Sequence, residues 1–404
     1  MSSSSKLNVL VLSYLYPNSE FPNHGVFVHN RIKAIAKKVN ITVINPIPWF
    51  PLYRFFDHYK KYSAIPSEEI IEGVKVYHPR FLSIPKFFKS LEINSYKNAV
   101  QTIYERELLG QPIDIIDLHW TFPDLPTGIY LKQRLKAKLI TTIRGNEALH
   151  LGEGNFSERC VAEHLKHTDG LIGVSEDLER LASMHAKNAA VLTAIRNGVD
   201  TERFTYIEQH LCREKLSIPQ DKKIIFSVGS IIHRKGFDLT IKALIDIKRS
   251  QGIENIRFYI GGSVGHEGDY TQELMALINQ HNLKDTVIFP GQISNSDLAY
   301  WYNAADVFCL SSRGEGSPNV LTEALACGTP SVVADVGASR EVLESEPDQG
   351  VCVPPDDHEA LRDGILLLLS SETDRKLCSD NFSKYTWEWC GDKVIDVYHQ
   401  VLEA

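Results

Sequence analysis

The sequence predicts an α/β protein built from two Rossmann-like parallel-sheet domains facing across a cleft. Three observations predict it. The chain has 404 residues, too many for one typical domain and suited to two of about 200 each. Short apolar runs alternate with helix-period segments, and strand–helix–strand at that spacing implies parallel crossovers. The pattern then restarts near Lys222 with a strand, a glycine-bearing loop and an amphipathic helix. The predicted domains are 1–200 and 201–384, with a helical run at about 385–404.

The first domain opens on Leu7–Ser13, an apolar strand, followed by a loop from Tyr14 to Gly25 and a helix-period segment from Val26 to Lys38. Ile41–Asn45 is the next strand. The first loop lacks Gly-x-Gly-x-x-Gly, which weighs against a dinucleotide cofactor. Gly25 instead marks a helix entry where backbone can come close to a partner. Ile113–Trp120 is a strand that places His119 at its carboxyl end, where α/β folds put ligands. Leu139–Ile143 is another, ending in Arg144-Gly-Asn-Glu147. Asp169–Ser175 follows, with Ser175 capping the next helix. Residues 205–221 are polar and read as a linker.

The second domain begins with Lys222–Val228, then Gly229-Ser-Ile-Ile-His-Arg-Lys-Gly236 and an amphipathic helix. A lysine just before a helix start, beside a glycine, suits a pyrophosphate. Arg257–Gly262 and Thr286–Gly291 are strands ending in glycine loops, consistent with a base-binding pocket. Asp306–Ser312 leads into Arg313-Gly-Glu-Gly-Ser-Pro-Asn-Val-Leu-Thr-Glu-Ala-Leu-Ala-Cys-Gly-Thr-Pro330. Ser317 reads as an N-cap with Pro318 at the first helical position. Gly328 fits a left-handed position after the last turn, and Pro330 prevents continuation. Glu315 stands ahead of this helix and Glu323 inside it, roughly 7–8 Å along its axis. The helix start offers free N–H groups and partial positive charge for phosphate. Ionised carboxylates only accept hydrogen bonds, so one on either side suits sugar hydroxyls flanking a diphosphate.

Composition narrows the classes. The chain is 43% hydrophobic and 23% charged, ordinary for a globular protein. No apolar run approaches the ~18–20 residues needed to span a bilayer, and Met1–Lys6 reads as a loose tail rather than a signal peptide. The seven cysteines are scattered without Cys-x-x-Cys or metal spacing, which points to reduced thiols in a cytoplasmic protein and no structural zinc. Residues 1–200 carry 24 Lys and Arg against 20 Asp and Glu, and residues 201–404 carry 19 against 31. Segments 49–62 and 80–89 mix aromatic and basic residues. That composition better suits core aromatics in a long insertion with solvated lysines between them, and also allows a peripheral contact with anionic membrane at its cytoplasmic face.

The runs Glu315-Gly-Ser-Pro-Asn-Val320 and Glu323-Ala-Leu-Ala-Cys-Gly-Thr-Pro330, with Asn197-Gly-Val-Asp200 and Phe204, closely resemble the family 4 retaining glycosyltransferases of GT-B fold. The resemblance spans about Gly25 to Gly350. It implies a nucleotide-diphospho-sugar donor, such as a UDP- or GDP-sugar, and a glycan or lipid-linked acceptor, with surface polysaccharide synthesis the commonest setting. Neither metal nor other cofactor is implied, nor nucleic acid. Glu315 would lie near the transferred sugar and Glu323 would hold the ribose hydroxyls. Gly316, Ser317, Pro318, Asn319 and Val320 would line sugar and phosphate, Lys235 would bind the donor phosphates, and Gly25 would approach them from the first domain. The leaving phosphate would help deprotonate the acceptor, so no general base is assigned. Family members commonly carry His-Gly-x-Asp where this chain has Arg144 and Glu147, and an Arg where Ser230 stands. Arg144 or Arg234 can supply phosphate charge, and His119 can substitute for the missing histidine. The terminal helix, by the same resemblance, crosses back onto the first domain. A GT-B epimerase and a non-catalytic nucleotide-sugar-binding protein are the alternative readings.

Overall fold

The computed structural model describes residues 6–51, 53, 57–83, 89–145, 151, 154–251, 255–265 and 267–404. The chain forms two compact units, one of Met1–Asn197 with Trp387–Ala404 and one of Gly198–Thr386.

The first unit is built on an eight-stranded sheet. In chain order its strands are β1 (Asn8–Leu12), β2 (Asn40–Ile44), β4 (Glu68–Ile71), β5 (Val74–Tyr77), β7 (Ile115–Leu118), β8 (Lys138–Ile143), β9 (Gly170–Gly173) and β10 (Val191–Ala194), with β3 (Ile47–Trp49) and β6 (Arg80–Leu82) paired beside it. The spatial order is β10-β9-β8-β7-β1-β2-β5-β4. All neighbours are parallel except the β4–β5 hairpin, whose turn residues Glu72 and Gly73 both take positive φ and so match the strand twist. Leu10, Val11 and Leu12 of β1 are buried on both faces, as a parallel sheet covered by helices requires. Helix Val26–Ala36 covers one face together with Trp387–Glu403. Because β2 and β7 lie on opposite sides of β1, the loops after β1 and β7 diverge. The crevice between them is the switch point where α/β sheets gather ligand groups.

The second unit repeats the plan with six parallel strands, β11 (Lys223–Val228), β12 (Ile256–Gly261), β13 (Val287–Gly291), β14 (Val307–Leu310), β15 (Ser331–Ala334) and β16 (Gly350–Val353), ordered β13-β12-β11-β14-β15-β16. Its switch point lies between β11 and β14. The loops leaving those strands are Gly229–Gly236 and Ser311–Pro318, which carry Arg234, Lys235, Arg313 and Glu315.

Two sequence expectations change. Residues 205–221 are no linker: they contain helix Gln209–Leu216, pinned by the buried Arg213. That guanidinium donates to the carbonyls of Ala304, Gln220 and Lys222 and to Asp306 Oδ2 at 2.8 Å. Polarity misled because one arginine satisfies three carbonyls from inside the fold. The glutamate-bearing helix starts later than expected, at Asn319. Pro318 is its cap residue with extended ψ of 94° and no side chain caps it, because the first turn closes from Leu321 N–H to the Pro318 carbonyl at 3.0 Å. Gly328 does take left-handed backbone, φ 69°.

Phe50 and Phe81 of the aromatic–basic segments are buried in the core, whereas Trp49 is exposed. Residues 52, 54–56 and 84–88 of those segments lie outside the described residues, as does Glu147. No helix among the described residues is long and apolar enough to cross a membrane.

Candidate active site

At the switch point of the second unit the loop after β11 tightens into a single turn, His233–Lys235, closed by Gly236 at φ 64°. A Cβ on Gly236 would stand 1.9 Å from the Ser311 carbonyl oxygen, so glycine is what lets the two loops touch. Arg313 locks the contact. Its guanidinium makes paired bonds to both oxygens of Asp238, each at 2.9 Å, and a further bond to the His233 carbonyl. Burial alone would raise the Asp238 carboxyl, but the Arg313 and Lys242 bonds hold it below its ordinary range.

This brings Lys235 and Glu315 together. Lys235 Nζ donates to Glu315 Oε1 at 2.6 Å, and Ser312 Oγ donates to the same oxygen at 2.7 Å. Both side chains are mostly buried, 15% and 11% exposed, enough enclosure to strengthen charge interactions relative to water. Arg234 lies beside them, with Nη1 bonded to the Gly314 carbonyl at 2.8 Å and 3.9 Å from Glu315 Oε2. Gly316 accepts from the Ala338 amide at 2.9 Å, which fixes the turn between Glu315 and the helix. Ser317 and Pro318 continue into Asn319 and Val320, ahead of the first bond of the helix from Leu321 N–H to the Pro318 carbonyl, where the helix carries its positive end.

Glu323 lies apart from that cluster, on the helix. It accepts from Tyr302 Oη at 2.9 Å. Burial pushes its carboxyl up to about 7, against the pull of the Tyr302 bond and the nearby Arg203.

The first unit gathers a different set. Gly25, the residue before helix Val26–Ala36, has φ 68°, and a Cβ there would stand 2.7 Å from the Leu15 carbonyl carbon. The glycine is therefore required by its own loop. Arg144 sits over the Phe27 ring at 5.3 Å, so Gly25, Arg144 and His119 share one neighbourhood. Arg144 Nη2 donates to His119 Nδ1 at 2.8 Å and Nη1 to Asn197 Oδ1 at 3.3 Å. A guanidinium only donates, so Nδ1 is the acceptor and His119 carries its proton on Nε2. That proton goes to Asp117 Oδ2 at 3.0 Å, which also accepts from Tyr398 Oη at 2.5 Å. Burial lowers His119 to about 4, against the pull of Asp117. Burial would raise Asp117, yet His119 and Tyr398 hold it below its ordinary range. Arg31, fully buried, completes the cluster through Ile195 and Asn197. His119 is thus a neutral, fully bonded imidazole, and both terminal nitrogens of Arg144 are engaged by protein groups.

The sequence alone assigns no role to Asp117, Arg31, Tyr398, Ser312 or Tyr302. One signal was available: Asp117 and His119 are two apart at a strand end and so point to the same face. Among the described residues no group of three or more His, Cys, Asp or Glu side chains is arranged to hold a metal ion.

Two largely parallel sheets in succession, the second with a lysine–glutamate pair from its switch-point loops set ahead of a helix, give the GT-B architecture of glycosyltransferases. Residues 24–203 match the family described as Glycosyltransferase Family 4, and residues 209–385 match Glycosyl transferases group 1. A Bacillus subtilis glycosyltransferase named for teichuronic acid biosynthesis, TuaC, is 25% identical over 373 residues, 89% of this chain and 88% of its own. Sucrose-phosphate synthase of Thermosynechococcus elongatus has the same fold, with TM-score 0.76 and 20% identity over 98% of this chain and 100% of that one. Anabaena HepE in complex with UDP-glucose gives TM-score 0.69 at 18% identity, covering 97% and 99%. The chain belongs to the glycosyltransferases, family 4 in its first half and group 1 in its second.

Proposed function

We propose that the second unit binds a nucleoside diphosphate-sugar and that the enzyme transfers the sugar, with retention of anomeric configuration and without a metal, to a glycan or lipid-linked acceptor in polysaccharide synthesis. The observation that carries this reading is the Lys235–Glu315 pair set ahead of the Asn319 helix. A cation and a helix N-terminus together suit a diphosphate. Glu315 beside them suits hydroxyls of the transferred sugar, and Glu323 further along the helix suits those of the ribose. As the sugar–phosphate bond breaks, charge develops on the leaving diphosphate, where Lys235 and the positive end of the helix stabilise it without reorganising. Arg234 supplies a second cation. Gly25, Arg144 and His119 belong to the first unit, where His119 is bonded through both ring nitrogens to Asp117 and Arg144 and so does not act as a base. HepE binds UDP and UDP-glucose, and TuaC carries a polymer-synthesis name. Both support a nucleotide-sugar donor and a polysaccharide product.

Calorimetric titration with UDP-, GDP- and ADP-sugars tests the donor site. One of them is expected to bind, and its affinity is expected to fall as pH drops from 8 to 6. The sign follows from Glu323: with its carboxyl at about 7, it is ionised and accepts ribose hydroxyls above that pH and is protonated below it. A nucleotide-sugar diphosphate has no titrating group of its own in this range, so Glu323→Gln is expected to bind weakly at both ends and flatten the profile. A profile unchanged by Glu323→Gln would remove Glu323 from the donor site.

A further inference from the structure

Arg234 is the most accessible cation at the proposed diphosphate site, 27% exposed, and a carboxylate of this same chain already holds it. Its Nε donates to Glu267 Oε2 at 2.9 Å and its Nη2 to Glu267 Oε1 at 2.7 Å. This is the two-pronged geometry by which a guanidinium also takes a phosphate. The third arm, Nη1 to the Gly314 carbonyl at 2.8 Å, fixes the plane of the guanidinium. The two prongs therefore point where Glu267 sits, next to Lys235 and Glu315. Glu267 is itself brought there by the stretch after β12. Ile231 N–H bonds the Ser263 carbonyl at 2.9 Å, and Tyr270 N–H returns to the Ile231 carbonyl at 3.1 Å. Gly265 lies against Ser230 so closely that a Cβ on it would meet the Ser230 Cβ at 2.7 Å. A small side chain at 230 and none at 265 are what seat Glu267 opposite Arg234.

We propose that Glu267 competes with the donor diphosphate for Arg234 and so sets the affinity of the second unit for its donor. The inference rests on the reading of Lys235, Glu315 and the Asn319 helix as the diphosphate site. Arg234 makes Glu267 a stronger carboxylate, held below its ordinary range chiefly by those hydrogen bonds. Yet Glu267 is 53% exposed, and ion pairs this open to water are weak and readily exchanged. A diphosphate brings more charge than one carboxylate and takes Lys235 at the same time. It displaces Glu267 from Arg234, and each donor molecule bound pays for that displacement in affinity.

The test is titration of the full chain with inorganic pyrophosphate and, in parallel, with UDP, for wild type, Glu267→Gln, Arg234→Ala and the double variant. Glu267→Gln keeps size and loses charge, and is expected to tighten both ligands about fivefold, the scale of an exposed ion pair. In the Arg234→Ala background the same change is expected to matter less than about twofold, which separates competition at Arg234 from a general loss of negative charge. Equal tightening in both backgrounds, or none in either, overturns the proposal. Lys235→Ala is the companion measurement. If it weakens pyrophosphate while Glu267→Gln changes nothing, the diphosphate site stands and only the competition is wrong. If Lys235→Ala leaves pyrophosphate binding intact, the site itself is misplaced and the role of Glu267 falls with it.

Discussion

Lys235→Ala is expected to lower kcat/KM for glycosyl transfer by about a hundredfold or more, the scale on which enzymes lose rate when one preorganised donor to developing charge is removed. The residue is held for that role on every side. Its backbone closes the turn before Gly236, its ammonium meets Glu315 at 2.6 Å, and Ser312 shares the same carboxylate oxygen. Removing it subtracts a cation from the leaving group and also leaves Glu315 without its nearest positive partner. A lysine is a flexible point charge and an arginine a planar fork, so Lys235→Arg is expected to recover only part of the loss. Thermal unfolding of each variant checks that the fold survives. A change below about threefold in Lys235→Ala, with the fold intact, would place the diphosphate elsewhere.

The second large effect is on stability and belongs to the first unit. Asp117→Ala is expected to cost about 3–5 kcal/mol, the range for breaking one partner out of a buried charge cluster. Asp117 Oδ2 accepts from His119 Nε2 and Tyr398 Oη, and the buried Arg31 acts on the same carboxylate. Without the carboxylate, the buried Arg31 guanidinium loses a counter-charge and two hydrogen-bond donors lose their acceptor. Urea unfolding followed by fluorescence checks this, and a cost below about 1 kcal/mol would mean that the cluster is balanced without Asp117. Tyr398 comes from the last helix and Asp117 from the middle of the sheet, so the same bond ties residues 387–404 to the first unit.

Much of the fold was legible because alternation of apolar runs with helix-period segments repeats along the chain. Strand segments such as Val9–Leu12 and Val307–Leu310 are continuous apolar runs, which parallel sheets need on both faces. Of the proposed donor site, the sequence showed the two loops separately, Lys235-Gly236 and Glu315-Gly316, while their meeting, 80 residues apart along the chain, is set by the pairing of β11 with β14. What failed was decided by distant partners. The polar stretch 205–221 became a packed helix because Arg213 found carbonyls at Ala304, Gln220 and Lys222. Pro318 became a cap residue rather than the first helical one. Arg234 is legible in the sequence as a cation for phosphate, but its partner Glu267, 33 residues further on, is not. Nor does the sequence show that Asp117 and Arg144 surround His119 and keep it neutral.

The most direct measurement is product analysis by NMR after incubating the enzyme with the nucleotide-sugar that binds and a glycan or lipid-linked acceptor. The expected product carries a new glycosidic bond whose anomeric configuration equals that of the donor, and its yield is undiminished by chelators. An inverted product would contradict retention. An isomerised nucleotide-sugar, or a donor bound and returned unchanged across a full range of acceptors, would contradict transfer itself.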